Sequence, residues 1–245
     1  MEFVGVRKFF IIFLLLAMIV VIQIYSKVRK MDNLIAVISS LIEFFAIFAL
    51  IFGLFRININ EHLPETIFSG SLMTFISYWI RDVNNIELAA PFIQIGLLII
   101  IMWVIFRYHL FWAAFISVIG YVTYGIIQAI FVLLFNSIFM VDITNHDTLK
   151  YVLQISTGCF SFILFWSFYH FNVGFNFVPH GRSVSIKLSK TSYYIIASVV
   201  GLLFTFSASY CFFEMNKAFK DDAFYMLVLS TICLIAFYWL SKKKE

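Results

Sequence analysis

Residues 34–55 read LIAVISSLIEFFAIFALIFGLF, an apolar run in which Glu43 is the single charged side chain. A bilayer core of about 30 Å requires roughly 17 to 25 helical residues, so this run is long enough to cross a membrane. Asp32 precedes it and Arg56 follows it. The stretch therefore predicts a transmembrane helix and indicates an α-helical membrane protein.

The composition of the whole chain points to the same fold class. Of 245 residues, 63% are hydrophobic and 12% are charged, and the mean hydropathy is +0.99. Soluble domains contain roughly 45–50% apolar and about 25% charged residues, so one soluble core cannot enclose this much apolar surface. The net charge of +4 comes from short basic clusters between apolar runs. That pattern is typical of membrane topology and not of a nucleic-acid partner.

Seven apolar runs are strong candidates for membrane spans, and one is weaker. The strong candidates are residues 9–25, 34–55, 88–106, 110–139, 149–170, 193–213 and 223–240. The weaker segment, 65–80, is short, and Gly70, Thr74, Ser77 and Arg81 follow one helical face, so it either crosses inside the bundle or lies at the interface. The sequence thus predicts an all-α, polytopic transmembrane helical bundle with about seven or eight spanning helices.

The chain is predicted to be one integral-membrane domain over residues 1–245. In this prediction, residues 1–33 form an N-terminal anchor helix, and residues 34–170 form the core helices. Residues 171–192 form a basic cytoplasmic linker, and residues 193–245 form a C-terminal helix pair with a basic tail. Arg7 and Lys8 before the first apolar run are typical of a signal peptide. No small-residue cleavage site follows, so an uncleaved first helix is expected.

The positions of lysine and arginine predict the side of the C-terminus but not that of the N-terminus. With eight spans and the N-terminus inside, the 17 basic residues divide as 10 inside and 7 outside. Seven spans with the N-terminus outside give the same division. Both schemes predict a multi-pass protein of the cell membrane with a cytoplasmic linker and C-terminus.

The linker at residues 171–192 is also a candidate for contact with lipid headgroups. Arg182, Lys187 and Lys190 carry positive charge that anionic headgroups would attract. A solvated connector between two helices is the alternative interpretation.

Glu43 is the most informative single residue because it lies near the middle of a predicted span. An ionised carboxylate at that depth costs at least a few kcal/mol unless it is paired, protonated or hydrated. One interpretation makes Glu43 a proton or cation ligand, or the anchor for the amine of a ligand. The other makes it a neutral group hydrogen-bonded to Ser39, Ser40 or a neighbouring helix.

Polar residues form a seam along the run at 110–139. Ser117, Tyr121, Tyr124 and Gln128 recur at helical spacing within a narrow sector, with Gly120 beside them. Gln154, Gly158 and Ser161 form a shorter stripe in the run at 149–170, whereas Gln94 is isolated on its own predicted helix. Such a seam either lines a ligand-binding cavity or joins packed helices through hydrogen bonds, so these two runs are expected to meet.

The sequence lacks motifs that are typical of several classes of intramembrane and soluble enzymes. There is no GxSxG elbow and no Walker A sequence, and the five histidines form no HExxH or other metal-ligand spacing. The three cysteines lie in apolar runs and form no CxxC pair. We therefore expect no enzyme activity, no cofactor and no metal site.

Three stretches carry a resemblance to a known family. They are FRYHLFWAAFISVIGYVTYGIIQAIFVLLF (106–135), FNVGFNFVPHG (171–181) followed by the basic linker, and YWLSKKKE (238–245). Their order from about residue 34 onward resembles the membrane sensor region of Agr-type, GHKL-class peptide-sensing histidine kinases of Gram-positive bacteria. The kinase motifs of that family do not occur in these residues, so no phosphotransfer residue can be carried over.

The resemblance implies a receptor-like membrane sensing or signalling module without a catalytic domain. Its expected partners are the lipid bilayer, a hydrophobic peptide ligand, and a related membrane sensor kinase or a second copy of the chain. The alternative is a small permease or transporter component in which Glu43 and the Tyr/Gln seam line a site at the membrane midplane.

Overall fold

The fold of the described residues is all-α, as predicted. The structure, a computed structural model, describes residues 31–80, 90–139, 147–171 and 174–175, together with isolated positions between 200 and 235. Its five helices are α1 (Met31–Leu54), α2 (Leu63–Tyr78), α3 (Ala90–Val104), α4 (Leu110–Phe139) and α5 (Asp147–His170). The predicted helix at 9–25 lies outside the described residues, as do most of the two runs at 193–213 and 223–240.

Three of these helices are long and apolar enough to cross a membrane. The candidate spans are Ile35–Leu54 in α1, Leu110–Phe135 in α4 and Leu149–His170 in α5. Helix α3 is a shorter apolar helix of 15 residues. Since each long span reaches the length that a bilayer core requires, these helices indicate a multi-pass membrane protein in contact with lipid.

Helix α1 ends in a motif that satisfies its last carbonyl groups. Arg56 adopts a left-handed backbone conformation with φ of 50°, and the N–H of Ile57 donates to the carbonyl of Phe52 at 3.0 Å. This is the Schellman arrangement that commonly closes helices. A 3-10 turn (Ile59–Glu61) follows, and Pro64 in the first turn of α2 removes an N–H that would have no helical partner there.

The end of α3 repeats the backbone feature seen after α1. Arg107 also has a positive φ, of 60°, and the N–H of Tyr108 donates to the carbonyl of Met102 at 3.1 Å. Arg56 and Arg107 are both exposed, each between a buried phenylalanine and another buried apolar or aromatic residue. Each helix thus ends by turning an arginine outward and burying its neighbours.

Ring contacts place the ends of successive helices together. Phe106, just after α3, has its ring centroid 5.8 Å from that of Phe52 and 5.6 Å from that of His62, which precedes α2. Phe55, just after α1, contacts Phe115 in the second turn of α4 and Phe175 beyond α5. The ends of α1, α3 and α5 and the starts of α2 and α4 therefore lie on one side of the bundle, which we call the arginine end after Arg56 and Arg107.

Helix α1 occupies the centre of the bundle, and it packs against α2, α4 and α5. Each of these neighbours presents a glycine to a large side chain of α1. A Cβ atom at Gly70 would lie 3.0 Å from the ring of Phe45, one at Gly158 would lie 2.7 Å from Cγ2 of Ile42, and one at Gly120 would overlap Cγ1 of Ile51. Small residues permit such close helix packing in membranes, where the surrounding lipid is as apolar as the side chains.

Candidate functional site

Glu43 is buried in the centre of the bundle and joins two helices. Its side chain is 4% exposed, and Gln154 of α5 donates from Nε2 to Glu43 Oε2 at 3.0 Å. A carboxyl group in the middle of a membrane helix needs such a partner because lipid offers no hydrogen bonds. The second atom of the same amide, Gln154 Oε1, is buried and accepts no hydrogen bond from any residue that the structure describes.

A second contact between helices lies one turn further along α5. The hydroxyl groups of Tyr124 in α4 and Thr157 in α5 are 3.1 Å apart, and both side chains are buried. The Thr157 hydroxyl lies within hydrogen-bonding distance of the carbonyls of Leu153 and Gln154 in its own helix. Since a hydroxyl has one proton, Thr157 donates to its own backbone and Tyr124 donates to Thr157. We call Glu43, Tyr124, Gln154 and Thr157 the α5 cluster.

Three further polar residues connect α2, α3 and α4, and we call them the Gln94 cluster. Gln94 of α3 donates from Nε2 to Ser77 Oγ of α2 at 3.0 Å and accepts at Oε1 from the hydroxyl of Tyr121 in α4 at 2.7 Å. All three side chains are buried, and Gln94 is 1% exposed. The amide therefore links three helices through one donor and one acceptor.

The predicted seam divides between these two clusters. Tyr121 belongs to the Gln94 cluster and Tyr124 to the α5 cluster, whereas Gln128 is half-buried and belongs to neither. Ser117 is fully buried, and its hydroxyl has no hydrogen-bond partner within the described ranges. The expectation that the helices at 110–139 and 149–170 meet agrees with the contact between Tyr124 and Thr157.

Gln94, the isolated polar residue of its own helix, is the central member of a cluster with residues of two other helices. Thr157 was missed altogether, although it lies three residues after Gln154 and so on the same helical face. That spacing was the available signal. The sequence did not reveal that a tyrosine hydroxyl approaches from another helix.

Loss of the Tyr121 hydroxyl is expected to weaken the bundle more than loss of the Tyr124 hydroxyl. Tyr121→Phe removes a donor to the buried Gln94 Oε1, whereas Thr157 keeps its backbone acceptor in Tyr124→Phe. Hydrogen bonds between membrane helices contribute about 0.6 kcal/mol on average and at most about 1.7 kcal/mol, so we expect Tyr121→Phe to lie toward the upper value. Unfolding in mixed detergent micelles measures both variants, and an equal or reversed order would contradict the assignment.

The arginine end carries exposed positive charge. Arg56 and Arg107 are exposed there, and the neighbouring Tyr108 is buried. Burial raises the pKa of Tyr108 to about 12, so its phenol is neutral at physiological pH and does not offset the arginines. The predicted lipid-contact residues Arg182, Lys187 and Lys190 lie outside the described residues.

Within the described ranges, no group of three or more His, Cys, Asp or Glu side chains is placed to hold a metal ion. Cys159 on α5 is a free, exposed thiol. The Gln94 cluster offers hydrogen bonds between neutral groups, and the α5 cluster adds the carboxyl group of Glu43.

The chain matches no protein-family model, no curated protein and no solved structure. The resemblance to sensor kinases therefore stays a prediction from the sequence.

Proposed function

We propose that the chain crosses the membrane eight times, that α2 is one of the crossings, and that the arginine end is cytoplasmic. The support is that Arg56 and Arg107 lie at the same end of the bundle. The eight-span scheme puts both arginines inside, whereas the seven-span scheme puts them on opposite sides. Positive charge is enriched on the cytoplasmic side, so the proposal also places the N-terminus and the start of the linker at 171–192 inside.

This topology predicts the accessibility of single cysteines in intact cells. With the native cysteines replaced by serine, Arg56→Cys and Arg107→Cys should both resist a membrane-impermeant maleimide and react after permeabilisation. Both side chains are exposed, so burial does not explain protection. Labelling of one position from outside and of the other only from inside would show that α2 does not cross.

We further propose that the protein is a receptor-like sensing module in which α1 and α5 transmit a signal to the linker. One observation carries this proposal: the start of the linker is attached to the end of α1. The N–H of Phe175 donates to the carbonyl of Leu54 at 2.6 Å, and a Cβ at Gly174 would lie 2.9 Å from the carbonyl oxygens of Gly53 and Leu54. The backbone of the linker thus fits closely over the last turn of α1.

The same two helices are also joined deep in the bundle. Gln154 of α5 binds Glu43 of α1, and 11 residues separate Glu43 from Leu54, which is roughly 16 Å along a helix. A ligand that changes the register of α1 against α5 would therefore move the carbonyl to which Phe175 binds. Such a ligand must bind two arrangements of the bundle with different affinity.

The proposed ligand is an apolar peptide or lipid-like signal, and the proposed partner is a membrane-bound sensor kinase or a second copy of this chain. The proposal gives the chain no catalytic role. Cross-linking a tagged chain in its native cells, followed by mass spectrometry, is expected to recover a histidine kinase or the chain itself. The matched control is the double variant Gly174→Ala/Phe175→Ala, in which the added Cβ crowds the carbonyls of Gly53 and Leu54 and the ring contact with Phe55 is lost. Recovery of neither partner at normal expression would count against a signalling role.

The runner-up function is a small permease or transporter component, and the observation that favours it is the buried carboxyl of Glu43. Flux of candidate solutes into proteoliposomes, measured for the wild type and for Glu43→Gln, separates the two functions. A transporter loses flux or its proton coupling in the variant. A sensing module shows no flux in either form.

A further inference from the structure

We propose that Glu43 binds a proton, and that the protonated pair of Glu43 and Gln154 is a reversible latch between α1 and α5. The starting observation is that only half of the Gln154 amide is satisfied. Nε2 donates to Glu43 Oε2 at 3.0 Å, whereas the buried Oε1 has no donor in the part of the chain that the structure describes. A buried acceptor without a donor is costly, and more so in a bilayer than near water.

The chemistry of the two side chains identifies the missing group. An amide offers two N–H donors and one acceptor oxygen, whereas an ionised carboxylate only accepts. The ionised form of Glu43 therefore cannot satisfy Gln154 Oε1. The acid form has one O–H donor and one carbonyl acceptor, so it can pair with the amide through two parallel hydrogen bonds.

Gln154 Oε1 needs a proton on Glu43 in either orientation of the amide. In the opposite orientation, the nitrogen and the oxygen of the amide exchange places. In that orientation Oε1 faces Glu43 Oε2 at 3.0 Å. Two acceptor oxygens at this distance form a hydrogen bond only through a proton. Protonation of Glu43 therefore provides the donor for Gln154 Oε1 in both orientations.

Among the described residues, the helices around α1 carry several titratable groups besides Glu43. Helix α4 contributes the phenols of Tyr121 and Tyr124, and α2 contributes Tyr78 and Glu65, the latter in the first turn of α2 at the arginine end. On α5, Asp147 and Tyr151 precede Gln154, and the exposed Lys150 lies one turn before it. The cost of an ionised carboxylate in the bilayer favours the protonated form of Glu43, and a rise in pH favours loss of that proton.

The effect of the latch on the linker rests on the proposed sensing function. The state of protonation itself does not depend on signalling. An ionised carboxylate cannot donate to Gln154 Oε1, so release of the proton removes that hydrogen bond and leaves a charge in the bundle. The arrangement of α1 against α5 would change, and the contact between Leu54 and Phe175 would change with it.

Infrared spectroscopy of the full chain in lipid vesicles tests the proposal. Near neutral pH, the difference spectrum between wild type and Glu43→Gln is expected to contain the carbonyl stretch of a protonated carboxylic acid. In Gln154→Leu that band should move to higher frequency because its hydrogen-bond donor is lost. Glu61→Gln is the matched control, since Glu61 is exposed and its removal should abolish only a carboxylate band.

The outcomes separate the latch from the sensing function. An acid band that disappears as pH rises supports the latch. If the linker does not move when the band disappears, the latch is still supported, but the sensing function is contradicted. A carboxylate band from Glu43 at every pH at which the protein keeps its helical circular dichroism would overturn the latch.

Discussion

Gly120→Ala is expected to destabilise the bundle by about 3 kcal/mol, at the upper end of the cost of overpacking a well-filled core. The added Cβ would overlap Cγ1 of Ile51, a side chain of the central helix α1 that is fully buried. Rotating the tip of the Ile51 side chain does not move that atom, so either Ile51 must leave its preferred χ1 rotamer or α1 and α4 must separate. Unfolding in mixed detergent micelles, followed by helical circular dichroism, measures the loss.

A control and a rescue make this prediction specific to the contact with α1. Gly96→Ala on α3 adds the same methyl group where nothing lies within 4 Å, so its stability should equal or slightly exceed that of the wild type. Ile51→Ala removes the overlapping atom, and the double variant Gly120→Ala/Ile51→Ala should be more stable than the sum of the single effects predicts. If the stability changes of the two single variants simply add in the double variant, Gly120 and Ile51 are not in contact.

Gln154→Leu is expected to cost about 1 to 3 kcal/mol, because it removes a hydrogen-bond donor from a buried carboxyl group. The leucine removes the amide that donates to Glu43, while Glu43 keeps its buried position on α1. The effect should grow at alkaline pH, because a charged carboxylate loses more than a neutral acid when its donor is removed. Thermal unfolding in detergent at two pH values gives both quantities.

The double variant Glu43→Leu/Gln154→Leu provides the internal comparison. Replacing both members of a buried polar pair by apolar groups of similar size is often nearly neutral. We therefore expect the double variant to regain most of the stability that Gln154→Leu loses. A double variant that is less stable than Gln154→Leu would show that Glu43 is held by groups other than Gln154.

The helices were predictable because the apolar runs are long and their boundaries are marked. The run at 34–55 corresponds to α1 and the run at 110–139 coincides with α4. The weak segment at 65–80 also forms a helix, α2, and its polar stripe faces inward, with Gly70, Thr74 and Ser77 all buried. Periodicity alone identified that face, since residues three and four apart lie on one side of a helix.

The partners across helices were not predictable from the same patterns. Gln94 is isolated on its own helix, and the sequence did not show that it binds Ser77 and Tyr121 from two other helices. Tyr121 and Tyr124 share a sector of α4, but Tyr121 reaches α3 whereas Tyr124 reaches α5. Hydropathy and periodicity describe one helix at a time, and these contacts depend on which helices are neighbours and at what height.

The sequence also contained no indication that the linker is attached to α1. The contact uses the backbone of Leu54 and Phe175, and backbone groups are the same at every residue. What the sequence does show is a glycine at 174, where a Cβ would crowd two carbonyl oxygens of α1. The structure explains this glycine, because the end of α1 lies beside it.

In the proposed function, a change in the contact between α1 and α5 inside the membrane changes the position of the linker. Spin labels at Leu110→Cys and Phe171→Cys, both exposed positions at the arginine end, report the distance from the bundle to the start of the linker. Pulsed electron paramagnetic resonance in lipid nanodiscs compares this distance in the wild type and in Glu43→Leu/Gln154→Leu, with the native cysteines replaced. We predict that the distance distribution shifts or broadens in the double variant. An unchanged distribution in a protein that keeps its helical content would contradict the account.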